Sequence, residues 1–345
     1  MKFKNNKYNK KIKDGKNRKF QNRFTKDNKG NIYIGIAAIL LISFLILSIA
    51  ILNLTIQEAK ENTEAMKSDE YNYIIQDYKR NIQIIEKEAI KEVSEEVIVK
   101  KTALDDSKEE IKKRCDFKLA NLNQNYYNQY NIKIESSVIS IENISEPFDI
   151  RIQTYISSVK NEINYNQIEE NDINIEGFKD PIPFLYCGKD ISFSYNETTV
   201  KYGNSLANYL EDKGIENSSY YINATAPLII RKCPYDPYKH HGDGYTMKTC
   251  RDNGYYHESA DGACYLCRLE GKSGCGHYGF ETFINPQPMN LTNLSSACGS
   301  DHVIFGEDTY PGIECIYYSQ NGLNEFLFLD PNGHRVKYGM DKIGL

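Results

Sequence analysis

The stretch GNIYIGIAAILLISFLILSIAILNLTIQ, Gly30–Gln57, decides how this chain is organised. It contains no charged residue, and between Ile32 and Leu54 it is almost entirely Ile, Leu, Ala and Phe. About 20 apolar residues in helical conformation cross the roughly 30 Å hydrocarbon core of a bilayer. Because a helix satisfies its backbone hydrogen bonds internally, we expect residues 31–56 to form a transmembrane helix.

The charges that flank this stretch predict its orientation. Residues 1–29 hold twelve Lys or Arg against two Asp, so they carry about +10, whereas the whole chain has a formal net charge of -5. Lys and Arg beside a transmembrane helix are retained in the cytoplasm. We therefore expect a basic cytoplasmic tail or leader at 1–30, an extracellular C-terminal part, contact with membrane lipid, and no nucleic-acid partner.

A cleaved secretory signal is the competing interpretation of the apolar stretch. Such a signal has an apolar region of about 7–15 residues that ends at a small-residue cleavage site. The apolar stretch here is longer, and the sequence LNLTIQEAKE at Leu52–Glu61 offers no such site. Retention of the helix is therefore favoured.

Beyond the apolar stretch, a helical stalk is predicted at 57–130. Residues 58–128 contain no Pro and no Gly, and their apolar residues recur at steps of three and four, which is typical of amphipathic helices. The stalk packs either on its own domain or on a second copy, through the transmembrane and stalk helices. The repeating residues are Tyr71, Ile75, Tyr78, Ile82, Ile85 and Ala89 in the first part, and Ile111, Cys115, Leu119 and Leu122 in the second.

From residue 131 the apolar period changes to two, which indicates half-buried strands. The fold class is therefore predicted as α+β: a single N-terminal transmembrane helix extended by an amphipathic helix, then an antiparallel, β-rich, Cys-rich extracytoplasmic domain at 131–345. One short helix is predicted at Ser205–Asp212. Strands are predicted at Asn131–Ile141, Phe148–Ile156, Ile173–Ile175 and within Tyr220–Arg231, with a hairpin of Ile313–Tyr318 and Glu325–Asp330 around Asn321-Gly322.

A cluster of cysteine and histidine residues lies at 233–277. Disulfides would staple this loop-rich region outside the cell. Alternatively, thiolates and imidazoles are the ligands of tetrahedral zinc, whose sites favour close ligand pairs. Free structural thiols are a third alternative. The pairs C-x-x-C and C-x-H make Cys264, Cys267, Cys275 and His277 the candidate zinc ligands, with Cys233, Cys250 and His257 as alternates.

The nine cysteines are an odd number, so at least one stays unpaired or bonds to another chain, and Cys115 is the candidate. No catalytic or cofactor-binding residue is assigned, because the chain lacks H-E-x-x-H, a P-loop and a dinucleotide fingerprint. The surroundings of Cys264, DGACYLC, match no cysteine-protease signature. Zinc is the only cofactor that the pattern suggests.

Glycosylation sequons and the number of tyrosines favour the interpretation of the chain as an adhesive surface glycoprotein. The chain has 27 tyrosines, whose rings give rigid contact area with one polar tip. The sequons begin at Asn53, Asn143, Asn196, Asn217, Asn223, Asn290 and Asn293.

The basic leader ending Asn28-Lys29-Gly30, followed at once by the apolar helix, resembles the type IV pilin-like precursors of archaea. That resemblance implies cleavage after Lys29-Gly30 by a membrane peptidase. Gly35 stands where bacterial pilins carry Glu, so this chain departs from the pattern used in filament assembly. Four distal segments are similar to uncharacterised membrane-anchored archaeal surface proteins: Asp180–Phe184, Tyr265–Gly271, His277–Phe283 and Leu329–Tyr338.

Two functional hypotheses follow from the sequence. The first is a membrane-anchored cell-surface structural or adhesive protein, pilin-like in its N-terminal part. The second is a zinc-binding surface module, or a metal-dependent enzyme, built on the Cys/His cluster.

Overall fold

We describe the protein from a computed structural model, which defines residues 28–160, 163–188, 191, 197–215, 218–236, 244–286, 297–306, 314–320 and 323–329. The chain divides into two compact units, Met1–Glu70 and Tyr71–Leu345. Helices and strands occur together, and most strand pairs are antiparallel, as the α+β prediction requires.

The first unit contains the beginning of helix α1, which runs from Asn28 to Lys100. Its large apolar side chains between Ile32 and Ile56 are exposed. Within the described part of the chain, α1 is the one helix long and apolar enough to cross a membrane. The Lys29-Gly30 pair lies in the first turn of this helix.

Hydroxyl groups in the apolar part of α1 are satisfied by the helix itself. Ser43 donates a hydrogen bond to the carbonyl of Ile39, and Ser48 donates one to the carbonyl of Phe44, each at 2.8 Å. In an apolar environment an unpaired hydroxyl is costly, so bonds of this kind make serine tolerable there.

In the second unit, the heptad-type face of α1 is buried against the first sheet of the unit. The Tyr71 hydroxyl lies 2.7 Å from the Ser158 hydroxyl, and the Tyr78 hydroxyl lies 2.6 Å from that of Ser136. The chain's own sheet therefore covers this face. The buried apolar residues of α1 are Tyr71, Ile74, Ile75, Tyr78, Ile82, Ala89, Ile90, Val93, Val97 and Ile98.

Helix α2, Ser107–Tyr130, is bounded by residue types that cap helices. The Asp106 carboxylate accepts a hydrogen bond from the Glu109 amide at 2.9 Å, which satisfies one of the free donors of the first turn. Asn131 adopts a left-handed conformation with φ 52° and ends the helix. Cys115 of α2 is fully buried with a free thiol, so in the folded protein it is shielded from a second chain.

The first sheet is an antiparallel meander of β1, Lys133–Asn143, β2, Asp149–Lys160, and β3, Ile163–Asn174. The alternating pattern predicted β1 and β2 correctly, but of β3 it marked only the final residues. Most of β3 is exposed on both faces, so it has no apolar alternation to detect.

Hydrogen-bonded polar side chains on β2 and β3 stabilise this part of the sheet, where apolar alternation is absent. Arg151 donates two hydrogen bonds to the Asp172 carboxylate, at 2.8 and 2.9 Å. Gln153 donates one to Glu170 at 2.9 Å. Cross-strand pairs of this kind contribute a few tenths of a kcal/mol to about 1 kcal/mol each.

The carboxylate of Glu86 is buried between α1 and the first sheet. It accepts hydrogen bonds from the Thr154 hydroxyl at 2.7 Å and from the Asn171 amide at 2.9 Å. Burial raises the pKa of Glu86 to about 7, against the opposing effect of these two hydrogen bonds. The side chain therefore titrates near neutral pH.

The middle of the chain forms small elements around a second apolar core. Helix α4, Ser205–Asp212, coincides with the predicted helix. Within Tyr220–Arg231 the structure has the short strand Thr225–Pro227, but the residues before it are not extended, because Asn223 takes a left-handed conformation with φ 58°. The elements are α3 (Ile182–Cys187), β4 (Thr199–Lys201), α4 (Ser205–Asp212), a 3-10 helix (Ser218–Tyr221) and β5 (Thr225–Pro227), with β4 and β5 antiparallel.

The C-terminal part forms a five-stranded sheet. The strand order is β6 (Tyr256–Ser259), β7 (Gly279–Ile284), β8 (Ala297–Ser300), β10 (Leu323–Leu329) and β9 (Glu314–Gln320). Strands β9 and β10 are antiparallel, as predicted, and the predicted turn Asn321-Gly322 lies outside the described residues. Strands β8 and β10 are parallel, so the sheet is not antiparallel throughout. The elements are α5 (Gly244–Asn253), β6 (Tyr256–Ser259), α6 (Tyr265–Leu269), β7 (Gly279–Ile284), β8 (Ala297–Ser300), α7 (Asp301–Phe305), β9 (Glu314–Gln320) and β10 (Leu323–Leu329).

Candidate metal centre

The connection between β6 and β7 brings four of the predicted ligands together. Cys264 precedes α6, Cys267 lies within α6, and Cys275 and His277 lie in the loop that leads to β7. Their side-chain donor atoms, three sulfurs and one ring nitrogen, all lie within 4.8 Å of one another. We call these four residues the Cys3His cluster.

Two distances within the Cys3His cluster match those around a tetrahedral metal ion. His277 Nδ1 lies 3.7 Å from Cys264 Sγ and 3.6 Å from Cys267 Sγ. A tetrahedral zinc ion, with Zn–S of about 2.3 Å and Zn–N of about 2.0–2.1 Å, places sulfur and nitrogen about 3.5 Å apart. The donors are therefore spaced to surround one ion.

Two glycines allow the two arms of the cluster to approach each other. A Cβ atom on Gly262 would lie 2.3 Å from the carbonyl oxygen of Phe280. A Cβ atom on Gly279 would lie 2.4 Å from the carbonyl oxygen of Gly262. Any side chain at either position would push the β7 arm away from the arm that carries Cys264.

Backbone hydrogen bonds fix the loop that carries the cluster. The Cys264 amide donates to the Cys275 sulfur, with 3.3 Å between nitrogen and sulfur. The Ala263 amide donates to the carbonyl of Ser273 at 3.0 Å, and the Lys272 amide donates to the carbonyl of Cys267 at 3.0 Å. An amide that donates to a cysteine sulfur stabilises the thiolate form, which is the form that binds metals.

The three thiols influence one another's ionisation. Hydrogen bonds with Cys264 and Cys267 lower the pKa of Cys275. Hydrogen bonds with Cys267 and Cys275, together with burial, raise the pKa of Cys264. One thiolate is therefore favoured and further thiolates beside it are opposed, unless a cation offsets their charge.

The cluster is buried on one side and open on the other. Cys264 is 1% exposed and Cys267 is 6% exposed, whereas His277 is exposed. An ion can therefore reach the donors from the His277 side.

Arg268, next to Cys267, ties the cluster to the core. Its guanidinium is 1% exposed and donates to the Asp180 carboxylate at 2.7 Å and to the Asp301 carboxylate at 2.8 Å. It also donates to the carbonyls of Ala263 at 3.1 Å and Phe280 at 2.5 Å. These contacts join α6 to three other segments, so the position of Cys267 depends on them.

The alternate ligands form a separate group. Cys233, Cys250 and His257 are all buried, and their donor atoms lie within 4.8 Å of one another. We call them the second cluster. The structure therefore assigns the seven predicted ligand residues to two places.

Sequence reasoning missed Arg268, Asp180 and Asp301. Asp180 and Arg268 lie in two of the segments named above for their similarity to archaeal surface proteins, but no role was predicted for them or for Asp301. No local pattern marks a charge that becomes buried through contacts between distant segments.

Comparison with known proteins returned nothing: no protein-family model matches the chain, no curated protein is similar to it, and no solved structure matches it.

Proposed function

We propose that the Tyr71–Leu345 unit is a zinc-stapled structural module of a single-pass membrane protein, with Cys264, Cys267, Cys275 and His277 as the zinc ligands. The observation that carries this proposal is the convergence of three sulfurs and one imidazole nitrogen within 4.8 Å. Thiolate and imidazole donors in tetrahedral arrangement are the set that zinc prefers.

The ligand count favours a structural role over a catalytic one. Catalytic zinc sites hold three protein ligands and keep a fourth position for water or substrate, whereas structural sites use four. Here the protein itself supplies four donors. Bound zinc would offset the charge of the three thiolates and join the Cys264–Cys267 arm to the Cys275–His277 arm.

Metal analysis of the full-length protein, purified in detergent without reductant or chelator, tests this proposal. We expect Cys267→Ser to lose one zinc equivalent per chain relative to the unmodified protein. Cys187→Ser is the matched control, because Cys187 is also a buried cysteine with a free thiol and lies in α3, outside both clusters.

The cobalt-substituted protein gives a second readout. We expect sulfur-to-cobalt charge-transfer absorption, and Cys267→Ser should reduce it while Cys187→Ser leaves it unchanged. A disulfide between any two of Cys264, Cys267 and Cys275, with no zinc in the purified protein, would contradict the proposal.

We infer further that α1 anchors the protein in a membrane with the Tyr71–Leu345 unit outside. Support comes from the exposed apolar surface of residues 32–56 and from the basic tail before it. With no catalytic motif in the sequence and a saturated ligand set, a structural or adhesive role at the cell surface fits best. Self-association through the apolar helix is compatible with this role.

Labelling of intact cells with an amine-reactive reagent that does not cross membranes tests the orientation. We expect modification of Lys201, which is exposed, before permeabilisation. The tail lysines, such as Lys10 and Lys16, should react only after permeabilisation. Reaction of the tail but not of Lys201 in intact cells would reverse the inferred orientation.

A further inference from the structure

The second cluster, Cys233, Cys250 and His257, joins three segments that are separate in the sequence. Cys233 follows a short bridge to β6, and its amide donates to the carbonyl of Tyr256 at 2.8 Å. Cys250 lies in α5, and His257 lies in β6. All three side chains are buried, at 2%, 0% and 0% exposure.

The distance between the two sulfurs suits a shared metal ion better than a disulfide. Cys233 Sγ and Cys250 Sγ lie 3.4 Å apart. A disulfide bond is about 2.05 Å long, whereas two thiolates on a tetrahedral zinc ion lie about 3.8 Å apart. The observed separation is much nearer to the second value.

The backbone around Cys233 presents a donor to its sulfur. The Tyr235 amide lies 3.4 Å from Cys233 Sγ and donates to it. The Asp236 amide turns back to the carbonyl of Cys233 at 3.4 Å. The Tyr235 amide stabilises the thiolate form of Cys233, and the turn brings the backbone of Asp236 back to that of Cys233.

Asp236 supplies an oxygen that no hydrogen bond satisfies. Its Oδ2 atom accepts from the Glu258 amide at 3.3 Å. Its Oδ1 atom is buried and has no hydrogen-bond partner in the part of the chain that the structure describes. A buried carboxylate oxygen without a donor is a group that a cation close by would stabilise.

We propose that Cys233, Cys250 and His257 hold a second zinc ion, distinct from the Cys3His cluster. Two thiolates and one imidazole supply three of the four positions of a tetrahedral shell, and the Asp236 carboxylate three residues after Cys233 supports this site from outside the shell. The ion fixes α5 and the Cys233–Asp236 turn to the edge of the sheet at β6. The proposal does not depend on the first site, because the two ligand sets share no residue.

Zinc stoichiometry of full-length variants in detergent, purified without reductant, tests the second site. The unmodified protein and the Cys187→Ser control should bind two zinc ions per chain. Cys250→Ser and Cys267→Ser should each bind one, and the double variant none. If the first site is wrong, Cys267→Ser changes nothing while Cys250→Ser still loses an ion.

The role of Asp236 is tested with Asp236→Asn. We expect its zinc affinity at the second site to fall by about 10–100-fold, as for loss of an outer-shell partner. The affinity of the first site should stay unchanged. Equal zinc affinities in Asp236→Asn and the unmodified protein would show that Asp236 has no part in the second site.

Cadmium-113 NMR of the unmodified protein keeps the proposal testable if Cys250→Ser does not fold. We expect two cadmium resonances, one shifted as for three sulfur ligands and one as for two. A single resonance, or a Cys233–Cys250 disulfide found by peptide mapping under non-reducing conditions, would overturn the second site.

Discussion

Replacing Arg268 with Met is expected to lower the free energy of unfolding of the Tyr71–Leu345 unit by about 3–5 kcal/mol, because the change leaves two buried carboxylates without a cation. Asp180 and Asp301 both bond to the same guanidinium nitrogen, at 2.7 and 2.8 Å. Burial alone would lower the pKa of Arg268, but the two carboxylates raise it above its ordinary value. The arginine is therefore charged in the folded protein.

The other hydrogen bonds of the two carboxylates cannot replace the positive charge of Arg268. Asp180 accepts from the Ile182 amide at 3.1 Å and the Tyr256 hydroxyl at 3.2 Å, and Asp301 accepts from the Thr282 amide at 3.1 Å. These neutral donors stay in place when Arg268 is replaced, but they bring no charge. Burial already raises the pKa of Asp180 despite Arg268, so one carboxyl would take up a proton.

Urea unfolding at neutral pH, followed by tyrosine fluorescence in detergent with zinc present, measures the effect. Arg151→Met is the matched control: this arginine also pairs with two carboxylates, those of Asp172 and Glu170, but on a partly exposed face of the first sheet. Arg151→Met should lower the free energy of unfolding by no more than about 1 kcal/mol. A loss for Arg268→Met no larger than for Arg151→Met would contradict the prediction.

A rescue variant separates charge from packing. Adding Asp180→Asn and Asp301→Asn to Arg268→Met removes the unpaired charges, so part of the lost stability should return. No recovery would mean that the packing of Arg268, including its position 4.4 Å above the Phe280 ring, accounts for the whole effect.

Replacing Glu86 with Gln is expected to stabilise the Tyr71–Leu345 unit at pH 8 and to leave it nearly unchanged at pH 4. Burial raises the pKa of Glu86 from 4.5 to about 7, and a shift of this size corresponds to about 3 kcal/mol. Because the folded state holds the proton more tightly than the unfolded state, stability is fully present below pH 4.5. It is lost as the pH rises through about 7.

The neighbouring carboxylate of Glu169 acts in the same direction. Glu169 on β3 raises the pKa of Glu86 further, whereas Cys115 on α2 adds no charge, because burial raises the pKa of its thiol. A glutamine keeps the hydrogen bond from Thr154, and Asn171 can turn its amide so that its oxygen accepts from the new amide. The variant therefore removes the charge without removing the bonds.

The measurement is the difference in unfolding free energy between variant and unmodified protein from pH 4 to pH 8. It should rise from near zero to at most about 3 kcal/mol, with its midpoint between the two pKa values. Glu88→Gln is the control, since Glu88 lies in the same helix but is exposed and pairs with Lys118. If the difference in unfolding free energy between Glu86→Gln and the unmodified protein did not change with pH, the prediction that Glu86 titrates near pH 7 would be contradicted.

The elements that the sequence predicted well carry their signal locally. Residues 205–212 form a helix as predicted, and β1, β2 and the β9–β10 hairpin follow from period-two alternation and turn residues. Strand β3 was predicted only at its end, because exposure on both faces removes the alternation, and in the Tyr220–Arg231 region only Thr225–Pro227 forms a strand, because a left-handed Asn223 interrupts the extended chain before it.

The candidate ligands also had a local signal, but their grouping did not. C-x-x-C and C-x-H predicted Cys264, Cys267, Cys275 and His277 as one set, and the structure brings their donors together. Cys233, Cys250 and His257 were predicted only as alternates to that set. Their grouping in a second cluster depends on the bridge that places Cys233 beside β6, and sequence spacing cannot reveal it.

The sequence by itself determined the apolar helix at 32–56, the basic tail before it, and which residues are candidate zinc ligands, because composition and short-range spacing decide these properties. Only the tertiary structure decided that the seven candidate residues divide into two clusters. It alone showed that Arg268 joins Asp180 to Asp301 and that Glu86 lies against the first sheet. Burial and charge pairing arise from contacts between segments far apart in the chain, which no local pattern encodes.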